Sequence, residues 1–169
     1  MGRGDLMNKG VYLALLSIGL AQGVKIPIHY VKKKEWRPDL FFGTGGMPSS
    51  HSAGVSTLTT YIALQRGLPT FDFALSLVYG LIVMYDAQGV RRQTGELTLK
   101  VNTMNELIEK IHKEESVEFK QEAPKKLKEV LGHQPEEVVG GAVLGVLVGV
   151  IGHLFTKKDR KLSKIKLRF

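Results

Sequence analysis

An all-α membrane bundle follows from three features of the sequence: long uncharged stretches, charge gathered between them, and helix-start signals at their boundaries. Gly10–Val24, Leu40–Gln65, Phe73–Tyr85 and Val138–Thr156 contain no Lys, Arg, Asp or Glu, although the 169 residues carry 24 Lys and Arg against 16 Asp and Glu. A helix needs about 20 largely apolar residues to cross a bilayer core. Val138–Phe155 comes close, and Val11–Ile28 qualifies if Lys25 snorkels to the interface. Ala53–Leu64 is rich in Ser and Thr and Phe71–Tyr85 is short, so these helices are expected to face the bundle interior. The prediction is one domain over 1–169, a small integral-membrane helical bundle of three or four spans. A polar helical hairpin at 102–134 precedes the last span, and a basic tail occupies 157–169.

Taken in order, Arg3 and Lys9 precede the apolar Val11–Leu20, and Ala21 and Gly23 follow, which is the outline of a signal peptide. The apolar character resumes through Ile28, so an uncleaved first span is expected. Lys32-Lys33-Lys34-Glu35-Trp36-Arg37-Pro38 is a basic cluster with a tryptophan, typical of a membrane interface. The same residues suit phosphate, because Arg37 can pair bidentately and a lysine adds a second charge.

Gly43 to Gly54 is the stretch around which the chain is organised. Gly45 and Gly46 allow a sharp turn, Pro48 suits the first position of a helix, and Ser49 or Ser50 can cap it. The free N–H groups of such a helix start favour an anion, and His51 stands there as a proton donor or acceptor. Arg66-Gly67-Leu68-Pro69 then makes a turn into a helix over Phe71–Tyr85, with Asp72 at its positive end. Asp86 either pairs with an arginine at the span boundary or leaves Arg91 or Arg92 to bind phosphate.

Within the polar segment, Met104, Leu107, Ile108 and Ile111 share one helical face. Glu106–Lys110 and Glu109–Lys113 are favourable pairs. A second short helix is expected from Pro124, burying Leu127, Val130 and Leu131. The last helix is expected to start at Pro135 with Glu136 and Glu137 in its first turn. His133 just before it would be neutral, since the dipole disfavours imidazolium. A neutral imidazole is a competent nucleophile, and Glu137 can fix its tautomer as in a triad. Gly141, Gly145 and Gly149 form a small-residue face for close helix packing in lipid, which also offers a homo-oligomer contact.

Several classes are excluded. Without cysteine there is no disulfide or thiolate metal site. The five histidines form no H-x-x-x-H pair, so no metal and no cofactor is expected. Positive charge lies in the tail and beside apolar spans with no aromatic ladder, which argues against nucleic acid.

The order Arg-Pro, Pro-Ser-Ser-His, His-x-x-x-Glu resembles the type 2 phosphatidic acid phosphatase and vanadium haloperoxidase superfamily. The runs Gly45–Ala53, Tyr85–Arg92 and Leu131–Val138 resemble its divergent small-protein branch in particular. Against the superfamily pattern K-x6-R-P, P-S-G-H and S-R-x5-H-x3-D, Arg37-Pro38 fits, while Tyr30 stands at the lysine position and Lys32 is the earliest lysine of the cluster. Ser50 replaces glycine, Glu137 replaces aspartate, and Leu127 stands where the arginine belongs, with Arg91 or Arg92 as the available substitute. The resemblance implies metal-free hydrolysis of a lipid phosphomonoester. His133 would be the nucleophile, Glu137 its orienting group and His51 the acid, with Lys32, Arg37, Ser49 and Ser50 on the phosphate oxygens. The implied substrates are a phosphatidate, a phosphatidylglycerophosphate or a polyprenyl (pyro)phosphate. The alternative is an inactive binder or transporter of lipid phosphates. The implied setting is a prokaryotic plasma membrane. The denser positive charge of the tail places the tail in the cytoplasm and the site outside. The shared site requires His51 and His133, 82 residues apart in sequence, to converge.

Overall fold

The computed structural model describes residues 3–43, 45–115, 126, 127, 129 and 132–166. Among them there is no strand. Five helices follow one another: α1 (Arg3–Lys33), α2 (Ser50–Arg66), α3 (Phe71–Gln88), α4 (Val90–Glu115) and α5 (Pro135–Lys166), with a short 3-10 turn at Pro38–Phe41. Three stretches are long and apolar enough to cross a membrane: Lys9–Lys33, Phe71–Ile111 and Pro135–Lys157. The third of these runs further than the uncharged stretch alone, and its helix starts at Pro135 as expected.

The Ser- and Thr-rich α2 is the centre of the bundle and packs against α1, α3 and α5. The burial pattern is that of a protein dissolved in lipid. Leu15, Leu16, Leu81, Ile82, Val143, Leu147 and Leu154 are more than half exposed, while Ser17, Ser49, Ser52, Thr57 and Thr156 are buried. Hydrocarbon cannot satisfy a hydroxyl, so these groups turn inward, Ser17, Thr57 and Thr156 to backbone carbonyls and Ser52 to Ser49. Thr57 Oγ1 lies 2.8 Å from the Ala53 carbonyl and 3.0 Å from that of Gly145. Tyr61 and Thr156 link α2 to α5 through their hydroxyls, 3.2 Å apart. Thr156 gives its own proton to Gly152 O at 2.9 Å, so Tyr61 is the donor of that pair.

The glycine face of α5 is spent on this contact. A methyl at Gly141 would land on the carbonyl oxygen of Ser49, one at Gly145 on that of Ala53, and one at Gly149 2.9 Å from that of Thr57. The sequence offered this face for oligomerisation; within the chain it is occupied by α2, whose small residues let the two backbones approach.

The polar segment departs from expectation. Helix α4 starts at Val90, twelve residues before the expected polar helix, and among the described elements it packs only against α3. Its buried polar contact is Asn102, 3% exposed, whose side chain bonds both N–H and C=O of Leu127 at 2.9 Å. Lys126, Leu127 and Glu129 are not helical, and Leu127 is exposed rather than buried; the rest of the expected second helix lies outside the described residues. Glu106 pairs with Lys126 at 3.1 Å rather than with Lys110, because that segment folds back along α4. Thr70 caps the start of α3 by accepting the Phe73 N–H at 3.3 Å, and Asp72 in the first turn pairs with Arg66.

The order of helices brings the C-terminal ends of α1 and α3 and the N-terminal ends of α2 and α5 to one end of the bundle. The start of α1 and the tail lie at the other.

Candidate anion site at the joined helix starts

Two backbone hydrogen bonds assemble this end. Ser49 N donates to Glu137 O at 2.8 Å, joining the start of α2 to that of α5, and His133 N donates to Ala87 O at 3.0 Å, joining the segment before α5 to the end of α3. Gly132 permits the second contact, since a Cβ there would fall 2.6 Å from the Arg91 carbonyl carbon. The Gly45-Gly46 turn uses φ of +80° at both residues, a region L-residues avoid.

His133 is 3% exposed. Its Nδ1 lies 3.0 Å from Glu137 Oε2, and the same oxygen accepts the Gln134 N–H at 3.1 Å. Glu137 therefore closes a capping box at the helix start while it holds the imidazole. With Nδ1–H donated to the carboxylate, the lone pair sits on Nε2. The ring of His51 lies 5.8 Å from that of His133, edge to face at 70°. His51 Nδ1 is buried with no partner among the described residues. Arg91, Lys25 and Asp86 are the charged groups that act electrostatically on His51.

Lys25 is the residue that sequence reasoning missed. It was expected to snorkel to the interface; instead it is 4% exposed and its Nζ is enclosed without a partner among the described residues. Its Cδ lies 3.8 Å from where a Cβ on Gly46 would be, and Glu137 acts on it electrostatically. A signal was present. Ser17, Ala21 and Lys25 recur at helical spacing on one face, and the first two are fully buried. A lone charge in an apolar span is a functional residue by default.

The expected phosphate ligands divide. Arg37 forms a bidentate pair with Asp39, at 2.9 and 2.7 Å, in an exposed loop. That pairing holds the Asp39 carboxyl below its ordinary range. Lys32 is exposed, and the cations that act electrostatically on His51 are Arg91 and Lys25. Ser49 is fully buried and its groups serve the fold. Its Oγ caps α2 by accepting Ser52 N at 3.3 Å and Ser52 Oγ at 3.0 Å, so of the two caps the sequence offered Ser49 is the one used, and the helix starts at Ser50 rather than at Pro48. Ser50, 6% exposed, shares that first turn with His51. Arg91 donates to Asp86 at 2.7 Å and Arg92 to Glu96 at 3.1 Å.

Removing the cap is expected to cost about 1 kcal/mol. Thermal unfolding of Ser49→Ala in detergent checks this, and a loss of anion binding without a loss of stability would show that Ser49 is a ligand after all.

The arrangement can hold an anion between two histidines, one tautomer fixed and the other unpartnered, with a buried ammonium beside them. Comparison with known proteins agrees with a membrane protein built around these motifs. The chain is 40% identical over 152 residues to the Bacillus subtilis (strain 168) protein named uncharacterized membrane protein YuiD, covering 86% of this chain and 94% of that protein. No solved structure matches. The profile of the Divergent PAP2 family matches residues 6–148, a span that contains both histidines, Lys25 and Glu137; the chain belongs to the Divergent PAP2 family.

Proposed function

We propose that the protein hydrolyses a phosphomonoester of a membrane lipid through a phosphohistidine on His133. The observation that carries this reading is the pair of imidazoles 5.8 Å apart, one of them oriented by a carboxylate at 3.0 Å. His133 Nε2 forms a bond to phosphorus as the bond from phosphorus to the ester oxygen breaks. The leaving oxygen takes a proton from His51, general acid help of a kind worth about 10²–10⁴-fold. Water then attacks the phosphohistidine, returns a proton to His51 and releases inorganic phosphate. Glu137 stabilises the charge that develops on His133, as the third member of a triad does.

Lys25 replaces Lys32 and Arg37 in this scheme. A buried ammonium without a protein partner is costly until an anion arrives, so the site is organised for a charged ligand. Lys25→Met is expected to weaken vanadate binding by about 10–100-fold, the worth of a charge-assisted hydrogen bond. Arg37→Ala is expected to leave it within about twofold. Titration of purified protein with vanadate measures both; the reverse ranking would return the phosphate to the loop.

A second reading has an observation in its favour. Arg91, the available substitute for the missing superfamily arginine, is engaged by Asp86, and transition-state charge needs such a donor. If Arg91 stays with Asp86, the pocket binds a lipid phosphate without turning it over. Vanadate affinity that survives His133→Ala, with no phosphate released from any lipid phosphate by the wild type, would establish the binder. In either reading the dense positive charge of the tail supports a site on the outer side of a prokaryotic plasma membrane.

A further inference from the structure

At the end of the bundle opposite the histidines, a groove of about 490 Å³ opens between α1, α2 and α3. Its size is within the range of small-molecule sites, about 300–1,000 Å³. Val11, Leu58, Ile62, Leu75 and Tyr79 make its walls, and Arg66 and Asp72 close its outer end. We propose that this groove binds one acyl chain of a glycerophospholipid, with the ester carbonyl of that chain accepting a hydrogen bond from the Gln65 side-chain amide.

The chemistry of the groove is ordered along the membrane normal. Arg66 and Asp72 neutralise each other at the water boundary, so the rim does not select a charged headgroup. Gln65 lies one residue inside that pair, in the last turn of α2. Leu58 lies seven residues further in, about 10 Å at helical rise. Ion pair, amide and hydrocarbon thus follow in the order in which a lipid presents headgroup, ester and chain.

The hydrogen-bond inventory singles out Gln65. Tyr61 in the floor is joined to Thr156, Ser76 donates to Phe73 O at 2.9 Å, and Arg66 is joined to Asp72. The Gln65 Nε2 is enclosed and has no partner among the described residues. Enclosed as it is, this N–H group meets no solvent either. Its terminal torsion is soft, so a turn of the amide carries the N–H to an acceptor in the groove. The neighbouring bilayer supplies ester carbonyls at that level.

The test uses the purified full-length protein in detergent, titrated with ester-linked phosphatidylcholine and with its ether-linked analogue, which has no carbonyl, and read by native mass spectrometry. One ester lipid is expected to be retained, about tenfold more tightly than the ether lipid, the scale of one hydrogen bond. Gln65→Leu is expected to bring the ester lipid down to the ether level. Leu58→Trp and, independently from α3, Leu75→Trp fill the groove and are expected to abolish retention of both. Equal retention of the two lipids by the wild type, retention undiminished in both tryptophan variants, or a dimer indifferent to either lipid would overturn the proposal. The readout requires no turnover, so it stands apart from the phosphatase reading.

Discussion

His133→Ala is expected to lower phosphate release from detergent-solubilised lipid phosphates by about 10³-fold or more, because a nucleophile that forms a covalent intermediate has no substitute in the site. The fold should persist. His133 is held chiefly by its backbone N–H to Ala87, a bond alanine keeps, and the Glu137 cap on Gln134 N is independent of the ring. Glu137→Gln sharpens the test. A glutamine oxygen preserves the capping box but removes the charge that stabilises a cationic imidazole, so activity should fall by about 10²-fold or more while the unfolding temperature stays near that of the wild type. Release that survives His133→Ala would overturn the phosphohistidine, and release absent in the wild type against every lipid phosphate would overturn the enzyme.

Gly145→Leu is expected to disrupt the bundle itself. A side chain there would meet the Ala53 carbonyl, Ser56 Cβ at 2.8 Å and Thr57 N at 3.0 Å, two of them backbone atoms that cannot yield. The helices would have to separate, breaking the Thr57–Gly145 bond. Overpacking costs about 1–3 kcal/mol in tolerant sites and more where backbone is struck; here a loss of about 3 kcal/mol or more is expected, measured by thermal unfolding in detergent. Val146→Leu, one residue on and facing outward at 44% exposure, should be neutral. Because α2 carries His51 and the start of α5 holds His133 through Glu137, Gly145→Leu should also abolish vanadate binding; if it does not, the histidines do not depend on this interface.

Much of this was legible in the residues. The helix start at Pro135, the inward turn of the hydroxyls of α2, and the role of the glycine series as a packing face all follow from local rules of capping and from the absence of hydrogen-bonding solvent in lipid. The Pro-Ser-Ser-His and His-x-x-x-Glu runs also marked the residues that meet. Other features were hidden because they depend on competition between partners. Arg37 and Asp39 are two residues apart, and the bidentate pair between them engages a guanidinium that the motif assigned to phosphate. Glu106 had Lys110 within reach on its own helix and took Lys126 instead, since Asn102 draws that segment back along α4.

The sequence by itself determined that this is a helical membrane protein of the Divergent PAP2 family, because charge segregation, caps and motif order are local properties of the chain. Which cations face the histidines was decided only by the tertiary structure. Lys25 on α1 reads as a snorkelling residue until the Gly45-Gly46 turn and the start of α5 close over it, and nothing within α1 encodes that cover. The same closure joins His51 to His133 through the Ser49–Glu137 backbone bond, a contact across 88 residues that no local rule of helix formation specifies.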